Sequence, residues 1–450
     1  MNAILYRYHV NDATWFYLSL LLIVAVYFRF NRLWSLRNLD LALLLSISPG
    51  LLFLDIQPAL GNVWLFVVSG LLLLRLFCDG LLERRPRLEQ NLNRPGLAFL
   101  GIAAFAFLMT SVITNPVPES AADTVRRGSQ IRKGGPAHAA PSEATSSAAG
   151  PASSMLTAPV DGLVEAVATG NGTYNHIPGG IETVTARVMA ILAQFAVVVG
   201  LFALGYRHFG DAGLGIGMAA LYLLLPCTAY KAGELNHVLP SALIVWSLVA
   251  YQRPVAAGIL LGLACGTLVF PVFLLPLWAV FYGRRAALRF GAALAGIGTV
   301  LLVGMVLISG DPDSFVRQTL GWINWQALEF RAGSAAGFWS THNAAYRIPV
   351  FVAFAIMLVV LTAWPRQKSL EHLIASSTAI VVGTQFWYPQ AGGVYLLWYL
   401  PLLLLVVFRP RLAVPAPRVS TSERVEMTAT PRPLRRELVG SGVGGSHFLR

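Results

Sequence analysis

Eleven stretches of this chain are long and apolar enough to bridge, or nearly bridge, a lipid bilayer. They cover residues 14–30, 39–55, 60–78, 97–114, 188–206, 213–230, 238–251, 290–308, 348–364, 372–387 and 392–409. A spanning helix needs about 20 apolar residues, because about 30 Å of hydrocarbon divides by a rise of 1.5 Å per residue. Inside hydrocarbon each segment must satisfy its own backbone amides, which leaves helices or closed barrels, and runs of this length select helices. Composition agrees. Only 12% of the 450 residues are charged and 56% are hydrophobic, against about 25% charged in a soluble domain. So little charge excludes a soluble enzyme, a nucleic-acid-binding domain and a disulfide-stapled secreted module. The expected fold is an all-α, polytopic transmembrane helix bundle of about 11–13 spans, with interfacial helices in its outside loops.

Basic residues orient the chain, since short cytoplasmic loops hold the excess of Lys and Arg. Arg29, Arg32 and Arg37 place the first short loop inside, and Arg84, Arg85, Arg87 and Arg94 the second. Arg207, Arg253, Arg284, Arg285, Arg289, Arg366 and Lys368 continue the pattern. This predicts a multi-pass protein of the inner (plasma) membrane, N-terminus outside and C-terminus cytoplasmic. It is self-consistent only if 255–281, interrupted by Pro271 and Pro276, enters and leaves at one side. Two short helices broken near Phe270–Pro271 would do so; the alternative is one long kinked helix, with a neighbouring span miscounted.

The chain divides into an N-terminal transmembrane block (1–114), an outside loop (115–187), a C-terminal transmembrane core (188–409) and a basic cytoplasmic tail (410–450). Within the loop, 119–158 is rich in Ala, Ser, Gly and Pro and reads as a disordered linker. Val160, Leu163, Val164 and Val167 then share one helical face, predicting a membrane-surface helix near 160–168. The tail reads as disordered, its arginines available to anionic lipid headgroups. Gly258, Gly262 and Gly266 recur every four residues and form a small-residue stripe for close helix contact.

Several chemistries are absent. Lysine occurs only at 133, 231 and 368, never in a phosphate-cradling G-x-x-x-x-G-K-[ST] loop, and no H-E-x-x-H or C-x-x-C spacing marks a zinc site. The centres of the spans hold almost no ionisable residue, which argues against ion-coupled transport. What remains is a polar and aromatic rim on the outer side. Asp55 opens the turn Asp55-Ile-Gln-Pro, and Glu234, Asn236 and His237 occupy a tight turn between two apolar spans. A carboxylate and an imidazole three residues apart could supply a general base and its electrostatic partner. Trp339, His342 and Asn343 lie in the loop 309–347 among several aromatics, as candidate substrate contacts. Each has a plainer alternative: Asp55 as a solvated loop acid, the tryptophans as interface anchors, and Asp311-Pro312 as the start of a surface-lying amphipathic helix over 312–330.

From Leu221 to Phe290 the order is an apolar span ending in Leu225-Pro226, a polar turn Gly233-Glu234-Leu-Asn236, and a span to Tyr251. A basic turn, Ala257-Gly-Ile-Leu-Leu-Gly-Leu-Ala264, a break, Pro271-Val-Phe-Leu-Leu-Pro276 and Gly283-Arg-Arg follow. This block, with Tyr395-Leu-Leu-Trp-Tyr-Leu-Pro401, resembles integral-membrane, polyprenyl-phosphate-sugar-dependent glycosyltransferases, especially the bacterial mannosyltransferase-like group. The resemblance covers roughly 90 residues. Glu234 stands where that family commonly has Gln, and Thr267-Leu-Val-Phe270 lacks the family's lysine. The resemblance implies transfer of a sugar from a polyprenyl-phosphate donor to an acceptor on the outer face, with no cofactor beyond a possible divalent metal. An acid in the family's first outside loop activates the acceptor. Asp55 takes that role if the first helix is an extra one, and otherwise Asp161 or Glu165 does. Glu234 and His237 would be further acid/base or metal-polarising groups, Asn236 a substrate contact, and Trp339, His342 and Asn343 would lie near the acceptor. The competing readings are a membrane carrier or flippase for a lipid-linked or small substrate, and a non-catalytic membrane scaffold.

Overall fold

The computed structural model describes residues 12–81, 90–133, 149–170, 180–308, 315, 337–340, 342–388 and 395–410. Among them all regular structure is helical. In chain order the α-helices are α1 (Asp12–Tyr27), α2 (Leu36–Leu45), α3 (Ile47–Ile56), α4 (Pro58–Phe77), α5 (Arg94–Thr114), α6 (Glu119–Lys133), α7 (Pro151–Gly170) and α8 (Gly180–Arg207). They continue with α9 (Ala212–Leu224), α10 (Pro226–Tyr230), α11 (Leu235–Val249), α12 (Pro254–Thr267), α13 (Leu275–Ile308), α14 (Arg347–Ala363), α15 (Leu370–Trp387) and α16 (Leu396–Phe408). Five stretches are long and apolar enough to cross a bilayer: Leu36–Ile56, Pro58–Leu81, Arg94–Thr114, Gly180–Arg207 and Phe270–Leu307, and six shorter apolar helices accompany them. Phe99, Ile102, Leu288 and Leu307 project outward with 71–80% of their surface uncovered. A surface this apolar is suited to lipid and not to water. The chain is an integral membrane protein built as a helical bundle.

Two expected spans are divided. Ser46 separates α2 from α3, and Leu225 adopts extended backbone (φ −62°, ψ 128°) before Pro226 opens α10. Proline disfavours helical geometry in the residue before it and fits the first helical position. The span read over 213–230 therefore ends in a kinked shelf that carries Tyr230 and Lys231.

The segment 255–281 is broken as its prolines and basic flanks require. Helix α12 stops at Thr267, Leu268 is extended, and Phe270–Leu274 forms a 3-10 turn leading into α13. Gly283, at φ 66° and ψ 174°, breaks α13 again, a conformation glycine adopts without strain. The glycine stripe gives the direction of travel. A Cβ on Gly258 would lie 2.6 Å from the Phe290 carbonyl oxygen, one on Gly262 3.3 Å from Ile297, and one on Gly266 2.6 Å from Leu301. Rising numbers on α12 meet rising numbers on α13, so the two run parallel. Residues 270–282 must then return antiparallel between them, and Arg253 and Arg284 lie at the same end. Gly258→Ala is expected to cost about 1–3 kcal/mol through overpacking. Gly291→Ala, where a Cβ would meet nothing within 4 Å, is expected to leave stability unchanged or to raise it by up to about 1 kcal/mol, the helix preference of Ala over Gly. Thermal unfolding of the purified variants in detergent checks both.

The loop reading needs correction. Residues 119–133 and 151–158 are helical, not disordered linker, whereas 134–148 lie outside the described residues. Ala121, Thr124, Val125 and Gly128 make the buried face of α6. The surface helix expected near 160–168 extends over the whole of α7. It buries its polar side (Ser153, Ser154, Thr157, Asp161) and leaves Leu163 and Val167 uncovered, the reverse of a helix facing water. Arg132 of α6 bonds Asp161 and Glu165, and Thr185 donates to Asp161. The Gly150 amide caps the Thr267 carbonyl at 2.8 Å, satisfying backbone that the end of α12 leaves open. The surface helix expected over 312–330 and the tail from 411 lie outside the described residues.

At the end of the bundle carrying Arg253, a buried chain of alternating charges ties four helices. The Arg75 guanidinium reaches Asp40 on α2 at 2.5 and 2.9 Å and Asp79 at 3.1 Å. Asp79 also receives Arg409, just past α16, and Arg409 Nη1 lies 3.2 Å from Glu371 on α15.

Candidate functional site

The opposite end of the bundle, where α3 stops and α11 begins, holds two adjoining clefts. The first, of about 250 Å³, lies between α1, α3, α5 and α10. The last turns of α5 give it a polar wall: Thr110, Ser111, Thr114 and Asn115 recur at helical spacing on one side of that helix. Trp15, Phe16, Leu51, Leu52 and Phe107 make the facing apolar wall, with the Trp15 and Phe107 rings stacked at 4.3 Å. Asp55, exposed at the end of α3, supplies the carboxylate of this cleft, and Tyr230 donates its hydroxyl to Asp55 Oδ1 at 3.4 Å.

The second cleft, of about 140 Å³, shares Ser111, Asn115, Ala229 and Tyr230 with the first and adds Arg187, Lys231 and Glu234. Arg187 donates to the Asn115 carbonyl at 3.2 Å. Lys231 Nζ lies 3.5 Å from Glu234 and 5.5 Å from the centre of the Tyr230 ring. Two cations and one carboxylate leave this cleft with a net positive charge. A carboxylate cleft and a cationic cleft thus meet across one short wall.

The remaining residues expected from the sequence are held by other partners. Glu234, part of the second cleft, stands just before α11 without a side-chain cap bond and accepts the Ser120 hydroxyl at 2.9 Å. Asn236 is buried, donating to the Ser120 carbonyl at 3.0 Å and accepting from Thr124 at 3.2 Å. Both fasten α6 to the bundle. His237 turns inward, stacked on Tyr395 at 5.1 Å and near Trp398 at 6.0 Å. Glu234 and His237 therefore engage different hydrogen-bond and ring partners. Trp339 is buried, donates to the Phe386 carbonyl at 2.8 Å and packs edge-on against Phe66. His342 stacks on Phe338, and Asn343 caps the turn leading into α14 through the Ala345 amide. None of these three lines either cleft. Among the described residues no three His, Cys, Asp or Glu side chains converge as a metal cluster.

Asn236→Ala is expected to cost about 0.5–1.5 kcal/mol, the net loss of a hydrogen bond, because the Thr124 hydroxyl still donates to the Ser120 carbonyl at 2.8 Å. The expected result is faster hydrogen exchange and proteolysis over 119–133 than in the bundle helices. Equal protection in variant and parent would show that other contacts hold α6.

Sequence reasoning missed Arg187, Tyr230 and the α5 ladder. Arg187 lies one residue before an apolar run and was passed over as loop. The spacing of Thr110, Ser111, Thr114 and Asn115 was visible as a polar face closing an otherwise apolar span. No protein-family model, curated protein or solved structure matches the chain.

Proposed function

We propose that the paired clefts form the active centre of an integral-membrane glycosyltransferase that uses a polyprenyl-phosphate sugar as donor. The observation carrying this reading is the junction itself: a cleft with an exposed carboxylate and a cationic cleft share Ser111, Asn115, Ala229 and Tyr230. In the proposed step an acceptor hydroxyl in the first cleft passes its proton to Asp55. The hydroxyl oxygen forms a bond to the sugar's anomeric carbon as the bond from that carbon to the phosphate oxygen breaks. The bonding pair leaves with the lipid phosphate, whose charge Arg187 and Lys231 receive. Glu234, held by Ser120 and beside Lys231, acts as a positioning group in place of the acid/base role expected of it. His237, Asn236, Trp339, His342 and Asn343 support the surrounding helices. No nucleotide is used, so no nucleotide-binding domain is needed.

Donor binding is the test. In lipid nanodiscs, Arg187→Gln and Lys231→Gln are each expected to weaken geranylgeranyl phosphate binding about tenfold, the effect of losing one charge-assisted hydrogen bond. Unchanged affinity in both variants would contradict the reading.

A further inference from the structure

The first cleft has an uneven supply of hydrogen-bonding groups. Thr110 donates its hydroxyl proton to the Ala106 carbonyl at 2.9 Å, and Thr114 donates to the Thr110 carbonyl at 3.0 Å. Each proton is thus used within the helix. A hydroxyl has one proton and two lone pairs, so both oxygens keep only accepting capacity toward the cleft. Asn115 Nδ2 gives one of its two protons to Ser111 Oγ at 3.1 Å, so the Ser111 hydroxyl proton and the second Asn115 amide proton are the donors this wall keeps. Asp55 adds a carboxylate whose Oδ1 takes the Tyr230 hydroxyl. No lysine or arginine lines this cleft among the described residues. Its polar wall mostly accepts hydrogen bonds and carries negative charge, the opposite of the neighbouring cleft.

We infer that the first cleft binds a single hydroxyl-rich carbohydrate ring and rejects phosphate. Hydroxyl groups are the donors that such a wall requires, and its acceptors are spread along α5 and the end of α3, as several hydroxyls on one ring would need. An ammonium group is matched by the one carboxylate alone and leaves the α5 acceptors unused. Across the cleft, Trp15 and its apolar neighbours suit the C–H face of a sugar, since rings of this kind pair a large apolar surface with specific geometry. A volume of about 250 Å³ lies just below the usual range for small-molecule sites, about 300–1,000 Å³, which is room for one ring inside the cleft. The inference rests on the transferase reading only in calling this ring the acceptor.

The test is saturation-transfer NMR on the full chain in lipid nanodiscs. The probes are the methyl glycosides of glucose, mannose and galactose, with inorganic phosphate and butylammonium as competitors. At least one glycoside is expected to bind, unaffected by phosphate. The double variant Thr110→Val/Thr114→Val is expected to weaken it about tenfold, and Leu52→Trp, which fills the cleft without removing a polar group, to abolish it. The inference is overturned if no glycoside binds, if both variants bind as the parent does, or if butylammonium or phosphate displaces the glycoside. If a glycoside binds as described while geranylgeranyl phosphate ignores Arg187 and Lys231, the transferase reading fails and the carbohydrate site stands. If the lipid phosphate binds and no glycoside does, only this inference fails.

Discussion

Asp79→Ala is expected to destabilise the bundle by about 3–5 kcal/mol, the usual consequence of removing one member of a buried ion pair. Asp79 is 5% exposed, and its partners Arg75 and Arg409 are 9% and 4% exposed. Its carboxylate holds two guanidinium groups, so its loss leaves positive charge buried in a low-dielectric region. Arg75 keeps Asp40, and Arg409 keeps Glu371, which sets the effect within that range and not above it. The double variant Asp79→Leu/Arg409→Leu is expected to recover part of the loss, because an apolar pair of similar size avoids desolvating charge. Thermal unfolding in detergent measures both. If Asp79→Ala unfolds at the same temperature as the parent, the chain of charges is not what joins α4 to α15 and α16.

Asp55→Asn is expected to lower sugar transfer by about 10²- to 10⁴-fold, the contribution of a positioned general base. Asparagine keeps the shape and can still accept the Tyr230 hydroxyl, but it cannot take up the acceptor's proton. The affinity for polyprenyl phosphate should stay within a factor of two or so of the parent, since the base faces the acceptor cleft and not the cationic one. An assay following label from a polyprenyl-phosphate sugar into acceptor separates the two effects. Equal loss of donor binding and of transfer would mean that Asp55 supports the clefts without acting on a proton.

Much of the fold was legible in the sequence because membrane helices announce themselves by length and apolarity, without reference to distant partners. The break at Leu268–Phe270 was legible for a related reason: Pro271, with Arg253 and Arg284 on the same side, favoured a broken pair over one long kinked helix. Helix α6 was hidden. Its buried positions, Ala121, Thr124, Val125 and Gly128, are small residues in an Ala-, Ser- and Gly-rich stretch, where composition outweighed spacing.

The candidate site was half legible. Asp55 stood out as a carboxylate in a short turn at the end of a span, and the structure places it in a cleft. Glu234 and Asn236 stood out as polar groups costly to bury, but their partners Ser120 and Thr124 are 114 and 112 residues away. No local pattern encodes a pairing of that reach. His237 stood out by its spacing to Glu234, but Ser120 and Lys231 engage Glu234 while the His237 ring stacks on Tyr395, partners that the spacing does not encode. Arg187 gave no signal of its own. Its significance comes only from the fold, which brings α8 beside the kink at Pro226 and so places the guanidinium next to Lys231.

A lipid phosphate seated in the cationic cleft, beside the carboxylate of Asp55, can be located by photo-crosslinking, with the protein in nanodiscs and a polyprenyl phosphate carrying a diazirine next to the phosphate. Adducts are expected in peptides containing Arg187, Lys231 and the end of α5 around Ser111–Asn115, suppressed by excess unlabelled lipid phosphate. Competable adducts confined to the end of the bundle bearing Arg75 and Arg409, with none near Arg187 or Lys231, would contradict that placement.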